Sequence, residues 1–441
     1  MGLPRSLNYP AVPVGAILAG SARRFGTRTV FRHDTEKLSF AELWRRPCRC
    51  ANALAEQGIG RGSRVAVRMP NCLAYPVAYY GVPLAGATVV PVSPLLPERE
   101  ATDQMRDARA ELALTAGDIP ALSAHASQDA PRVIVDVEQD LAHLGYTGGT
   151  TGTSKGVRLT HRNVVVNTIQ HGCWHHGSLP ALDAASGVVL DQIGSPQEWP
   201  VRLGSGIFIN LMPWHHAMGT IAGLNLPVLA GMTTVLHDRF NPAAYLADAE
   251  RWRVTYIGGA PTLFAGLLAC PDVRTRDLSS VRAIGSGGAP LPTGMIHELR
   301  ELLPDAVLCE GYGLTEVTMG ATNPPANTSG LRKPGSVGVA MFDTEIKIAP
   351  TDGGEYPLPT GARGEVCIRG PQVMRGYHNR PDATAAAVIG RADHTTGELP
   401  VAFVVTAPGH HINADELMTI VNRQVAPYQK LRELHFGDST V

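Results

Sequence analysis

Apolar positions along this chain switch repeatedly between a helical and a strand-like period. Residues 14–25 place Val14, Ile17, Leu18 and Ala22 on one helical face. Residues 29–32 and 37–40 alternate as the arms of a hairpin. Ser39, followed three positions later by Glu42, forms a capping box for a helix ending at Gly58. Strand-like 64–69, helical 74–84, strand-like 88–92 and helical 98–108 come next, then short strands near Leu112 and Val133. Residues 141–146 read as a strand and 160–170 as a helix. A second alternating series follows, with strands at 206–212, 233–236, 254–257, 281–284 and 306–309. From 337 to 370 the pattern turns β-rich, with runs at 345–349 and 365–369 between Gly and Pro, which predicts a small barrel or distorted sheet. Alternating strand and helix predict mainly parallel sheets covered on both faces.

Composition narrows the class. With 441 residues the chain exceeds one simple core, and 44% hydrophobic and 17% charged residues suit a globular protein. A net charge of -1 provides no general attraction to nucleic acid or anionic membrane. No stretch reads as a membrane span or signal peptide. The seven cysteines are scattered without metal-like spacing, which fits a reduced, cytoplasmic setting. His171, Cys173, His175 and His176 could suggest a metal, but without a second ligand cluster they read as a polar helix end.

The most informative stretch joins the strand at 141–146 to the helix at 160–170. It holds Thr147, Gly148, Gly149, Thr150, Thr151, Gly152, Thr153, Ser154 and Lys155. Glycines let backbone N–H groups approach an anion, hydroxyls add small donors, and the lysine adds a point charge suited to phosphate. No Gly-Lys-Ser/Thr occurs, so this is not the Walker pattern. The loop lies beyond the carboxyl end of its strand, where ligands of such sheets bind.

This loop resembles the phosphate-binding signature of the adenylate-forming superfamily, which includes acyl-CoA synthetases, aryl-CoA ligases and nonribosomal adenylation domains. Other stretches match in order. Met212 to Gly219 resembles the motif whose histidine, here His216, orients the carboxylate beside the acyl pocket. Gly285 to Pro290 resembles the adenine turn and implicates Gly287, Gly288 and Ala289. Gly311, Tyr312, Gly313, Leu314, Thr315 and Glu316 resemble the hexapeptide in which the tyrosine faces adenine, the threonine the α-phosphate and the glutamate Mg²⁺. The resemblance implies Lys155, His216, Thr315 and Glu316 as catalytic residues, with ATP/AMP, Mg²⁺ and coenzyme A as cofactors. The implied partners are a small-molecule carboxylic acid and a nucleotide, with a homodimer allowed.

Small residues at Ala217, Gly219, Gly223, Gly258 and Gly259, beside apolar Met218, leave volume in the pocket, and no aspartate beside His216 awaits an ammonium group. A bulky or long hydrophobic acid is therefore expected. The expected fold is α/β: a large N-terminal domain, 1–387, of two stacked mainly parallel α/β subdomains (about 1–200 and 201–330) plus a small β-barrel (331–387). A small α+β C-terminal domain, 388–441, is only partly represented.

The chain departs from the family after Thr384. Several dozen residues are absent there, including the Thr-Gly-Asp stretch whose aspartate holds the ribose, and the chain stops before the family's C-terminal lysine. Residues 401–405 form a buried-type strand, and Leu417, Ile420, Val421 and Val425 an apolar helix face, which half a domain cannot bury. The expectation is that residues are omitted from the sequence rather than deleted from the protein, and that 388–441 closes on the nucleotide site. The alternatives are a ligase specialised for thioesterifying a supplied acyl-adenylate, or a catalytically inactive nucleotide- and acyl-binding homologue.

Overall fold

The computed structural model describes residues 3–147, 154–351 and 356–384 with side chains, and the backbone of four short strands beyond them. The first helix, α1 (Gly15–Phe25), buries Ile17, Leu18 and Ala22 together with Val14 just before it. The hairpin β1 (Thr29–His33) and β2 (Glu36–Ser39) leads into α2 (Phe40–Glu56). At the start of α2 the Ser39 hydroxyl accepts the Glu42 N–H at 3.2 Å, while the Glu42 carboxylate accepts the Ser39 N–H at 2.8 Å. That reciprocal pair is worth roughly 1 kcal/mol to the helix start.

Next come β3 (Arg64–Val67), α3 (Ala74–Leu84), β4 (Thr88–Pro91), α4 (Glu98–Asp107), β5 (Leu112–Leu114), α5 (Ile119–Leu122) and β6 (Leu141–Tyr146). The strand expected near Val133 is not formed; Val133 instead caps the Gly86 turn with its side chain. Strand β7 (Gly156–Thr160), which runs antiparallel to β6, was not legible in the pattern. Helix α6 (His161–His176) follows only after it, with Thr160 as its cap. The five-stranded sheet has the order β5-β3-β4-β6-β7, parallel except for β7.

The hairpin β8 (Ser178–Leu182) and β9 (Val188–Gln192) precedes the second sheet. Its strands are β10 (Ile207–Asn210), β11 (Thr233–Leu236), β12 (Tyr256–Gly259), β13 (Ala283–Ser286) and β14 (Val307–Glu310). A π-helical turn, Gly219–Asn225, runs into α7 (Leu226–Ala230), and α8 (Pro242–Arg251), α9 (Pro261–Leu268) and α10 (Thr293–Leu302) connect the remaining strands. This sheet has the order β14-β13-β12-β10-β11-β1-β2. Parallel pairing of β1 with β11 brings the chain's first hairpin onto a sheet whose other strands all lie beyond residue 200.

One apolar core joins both sheets through α1, α2, α3 and α6, with Phe31, Val65, Tyr75, Val89, Val157 and Ile169 among its buried members. A second core lies under α8, α9 and α10. The β-rich stretch forms two small antiparallel pairs, β15 (Thr322–Asn323) with β16 (Val339–Ala340) and β17 (Glu345–Ala349) with β18 (Glu365–Arg369). A short α11 (Pro381–Thr384) ends the main body.

Beyond it, β19 (Ala392–Asp393) pairs with β20 (Gly397–Glu398), and β21 (Val401–Val404) pairs parallel with β22 (Glu433–Phe436). The apolar face at Leu417, Ile420, Val421 and Val425 lies outside the described residues.

Candidate active site

The site is assembled where the carboxyl ends of β6, β13 and β14 meet. Because β7 returns antiparallel to β6, the Gly/Thr stretch joins two hairpin strands and not a strand to a helix. Gly148, Gly149, Thr150, Thr151, Gly152 and Thr153 lie outside the described residues. The base of the loop is closed by three bonds. The Thr147 N–H donates to the Lys155 carbonyl at 3.1 Å, the Ser154 hydroxyl to the Thr147 carbonyl at 2.6 Å, and the Lys155 N–H to Thr147 Oγ1 at 3.4 Å.

Lys155 sits half-buried with its ammonium 4.9 Å above the ring of Tyr377. The Tyr377 hydroxyl donates to Glu316 Oε1 at 2.6 Å. One buried tyrosine therefore touches both the loop lysine and the hexapeptide glutamate. Burial, then the Glu316 hydrogen bond, push the Tyr377 phenol well above its ordinary pKa, so it remains a donor at any ordinary pH. Segment 370–378 is stitched in place from both sides. Its Met374 N–H donates to the Glu316 carbonyl at 2.8 Å, its Gln372 carbonyl accepts the Thr318 hydroxyl at 2.7 Å, and its His378 N–H donates to the Gly156 carbonyl at 2.7 Å. Tyr377 was not singled out from sequence. A lone aromatic in a loop after a strand carries no periodicity, and only its antiparallel bridge to Val157 reveals it.

Glu316 and Thr315 lie on a short 3-10 turn, Thr315–Val317, which ends at Thr318 in a left-handed conformation with φ 70. The Thr315 methyl packs beside Gly145 of β6, which ties the hexapeptide to the strand carrying the loop. Gly313 is required by space: a Cβ there would stand 1.8 Å from the Met319 carbonyl oxygen. Gly311 faces Asn323, and Tyr312 is exposed on the same rim, its N–H directed at the Thr322 carbonyl.

The turn Gly287-Gly288-Ala289 follows β13. Gly288 has φ +80, and a Cβ on Gly287 would meet nothing closer than 3.5 Å, the Met218 sulfur. This face is open enough for a planar group, and Met218 brings the histidine motif against the turn. His216 is exposed to the cleft yet ringed by protein atoms, and that crowding lowers its pKa; His215 is pushed down to about 4 by burial and then by His216. Both rings are thus neutral near pH 7. Ala217 is half-buried beside them.

The small residues do not leave the volume expected of them. A Cβ on Gly219 would strike the Pro213 carbonyl oxygen at 1.8 Å, and one on Gly223 the Asn210 side chain at 2.8 Å. The space above Gly258 is filled by the Tyr256 ring and that above Gly259 by Leu263. These glycines permit close packing of their own neighbours.

The histidines at the end of α6 are not a polar helix end. His171 and His176 are buried, the His171 and His175 rings stack at 5.8 Å, and burial holds all three below the ordinary imidazole pKa. Among the described residues no group of three His, Cys, Asp or Glu side chains could enclose a metal. No helix among them is long and apolar enough to cross a membrane.

The family model described as AMP-binding enzyme matches residues 18–139 and 118–378, and that of the AMP-binding enzyme C-terminal domain matches 376–440. Feruloyl-CoA synthase of Amycolatopsis sp is 30% identical over 490 positions, covering 95% of this chain and 93% of the relative. That alignment is longer than the whole chain of 441 residues, so the relative carries several dozen positions without a counterpart here. A long-chain-fatty-acid–CoA ligase of Bacillus subtilis is 29% identical over 444 positions, covering 88% of this chain and 74% of the relative. Among solved structures, o-succinylbenzoate coenzyme A synthetase from Bacillus subtilis in complex with AMP superposes with a TM-score of 0.67 at 26% identity, covering 85% and 92% of the two chains.

Proposed function

The chain belongs to the AMP-binding enzyme family, as an acid–thiol ligase of its CoA ligase branch, and from that premise we propose that it activates a bulky hydrophobic carboxylic acid as the acyl-adenylate and transfers the acyl group to coenzyme A. The observation that carries the adenylating chemistry is the Lys155–Tyr377–Glu316 array, a cation and a carboxylate set on one aromatic ring beside the phosphate-type loop; the bulky acid is supported by the feruloyl and long-chain fatty-acid relatives and not by the motif glycines. The AMP complex of the o-succinylbenzoate relative supports the nucleotide.

In the first step an acid oxygen attacks the α-phosphorus of ATP, a new P–O bond forms, and pyrophosphate leaves with the old one. Negative charge grows on the phosphates as this happens. Lys155 supplies fixed positive charge there, and N–H groups of the glycine-rich loop would add donors. In the second step a thiolate sulfur attacks the acyl carbon and AMP departs. His216, neutral through crowding, can donate its ring N–H to the acid's carboxylate and orient it without adding a competing charge.

Glu316 fits Mg²⁺ as a hard oxygen donor: Tyr377 engages Oε1, and among the described residues Oε2 has no such bond. With no enclosing cluster, nucleotide phosphates would provide most of the ion's ligands, and the ion would neutralise phosphate charge. A second reading, a ligase that only thioesterifies a supplied acyl-adenylate, is favoured by the several dozen absent positions.

The test is one panel of acids assayed in parallel with ATP and with synthetic acyl-AMP. Acyl-CoA from ATP plus a bulky acid supports the full reaction, and acyl-CoA from acyl-AMP alone supports the second reading. A preference for acetate or amino acids overturns the substrate class.

A further inference from the structure

The histidine motif and the phosphate-type loop stand on different sheets. The loop leaves β6, whose sheet also holds β3, while residues 212–219 follow β10 of the seven-stranded sheet. A link that keeps the two motifs in register must cross between the carboxyl ends of those sheets. Asn71, in the turn between β3 and α3, crosses there with both ends of its amide. Its Nδ2–H donates to the Met212 carbonyl at 2.8 Å, and its Oδ1 accepts the Trp214 N–H at 2.9 Å. With a carbonyl on one side and an N–H on the other, the amide fits in one orientation.

The clamp spans Pro213, which has no N–H of its own. The Pro213 carbonyl accepts the His216 N–H at 3.0 Å, and the His216 carbonyl accepts the Thr220 N–H at 2.8 Å. The turn that aims the His216 ring therefore starts from the peptides that Asn71 holds. Burial secures the same segment by other means. Trp214 is fully buried, with its ring 5.3 Å from Phe31 and 5.4 Å from Tyr75 and its indole N–H on the Gly223 carbonyl at 2.9 Å. The Trp214 carbonyl accepts the hydroxyls of Tyr75 at 2.9 Å and Thr220 at 2.8 Å. Those contacts do not need Asn71. Asn71 itself is half-buried, so water can take over its two partners when the amide is removed. Such a change spares the fold and loosens the direction of the turn.

We propose that Asn71 is a positioning residue for acid activation, which sets the His216 ring, and with it the acid's carboxylate, in register with the phosphates on the loop. The inference rests on the acyl-activating reading above. Attack on the α-phosphorus needs the acid oxygen in line, and a misplacement of about 1 Å can cost on the order of a hundredfold in rate. A two-point amide clamp resists both sliding and twisting of the Met212–Trp214 backbone. Nucleotide binding at the loop and the Gly287 turn does not depend on it.

The test measures pyrophosphate release from ATP and the acid preferred in the panel above, with Asn71→Ala, Asn71→Asp, His216→Ala and the double variant Asn71→Ala/His216→Ala. Asn71→Ala is expected to lower kcat/KM for the acid about tenfold, as loss of one or two neutral hydrogen bonds allows, while the KM for ATP stays within about twofold. Asn71→Asp keeps the shape and the acceptor but not the donor. It is expected to fall between the wild type and Asn71→Ala, and it carries the test if Asn71→Ala fails to fold. In the His216→Ala background, Asn71→Ala is expected to lower kcat/KM less than about threefold, because the group it positions is gone. Equal changes in the acid and ATP parameters, or a tenfold loss that persists without His216, overturn the positioning role. A protein that releases no pyrophosphate with any acid refutes the catalytic reading instead. The role is then read from calorimetric Kd values for feruloyl-sulfamoyladenosine and AMP: Asn71→Ala is expected to weaken the first about tenfold and AMP less than about twofold, and equal weakening of both overturns it.

Discussion

Replacing Tyr377 with phenylalanine removes one atom from the centre of the site. The ring stays beneath Lys155, so the cation–π contact at 4.9 Å is retained. The hydroxyl donated to Glu316 Oε1 at 2.6 Å is lost. A hydrogen bond to a charged group is worth roughly 1.5–3 kcal/mol, and Glu316 is partly open to water, so the lower end applies. About 1.4 kcal/mol corresponds to tenfold in rate. Adenylation, followed by pyrophosphate release, is therefore expected to slow about tenfold, while thioesterification of supplied acyl-AMP changes less than about twofold. Tyr377→Leu removes the ring as well and is expected to slow adenylation by a further 0.5–2 kcal/mol, roughly, through Lys155. Because the phenol is protonated at any ordinary pH, the pH profile of Tyr377→Phe should match the wild type. A double-mutant cycle with Glu316→Gln decides the matter. Additive effects within about 0.5 kcal/mol, or equal losses in both half-reactions, refute the idea that Tyr377 positions Glu316.

Lys155→Ala is expected to impair adenylation more than thioesterification, since its charge serves the departing phosphates; equal loss in parallel assays counts against that role. Acid should destabilise the fold through its buried imidazoles. His143, His161 and His171 are held at about 4 by burial, against an unfolded value of about 6.5. Between those values the unfolded chain binds more protons, so stability rises with pH and is lost as pH falls from 6.5 toward 4. The loss at pH 5 is on the order of 2 kcal/mol per histidine, and His161 also loses the Val14 N–H that its Nδ1 accepts at 3.2 Å. A urea midpoint unchanged between pH 7 and 5 would contradict this.

Local periodicity alone determined much of this protein. The Ser39–Glu42 box, α3, β11, β17 and β18 lie where side-chain alternation and capping place them, because such signals need only neighbours a few residues apart. The motif residues were legible for the same reason, since glycine, hydroxyl and lysine in one loop state their chemistry without reference to the rest of the chain. Strand β7 was not legible. Gly156–Thr160 is too short to separate from the helix it precedes, and its pairing with β6 is a long-range choice of partner and direction. Nor did the glycines of the pocket reveal their use. A missing Cβ reads as open space in a sequence, but whether Tyr256, Leu263 or a carbonyl oxygen fills that space depends on which elements pack across it. Tyr377 shows the same division. Its ring meets Lys155 and its hydroxyl meets Glu316, residues 222 and 61 positions away, only because segment 370–378 is hydrogen-bonded to β7 on one side and to the 3-10 turn on the other.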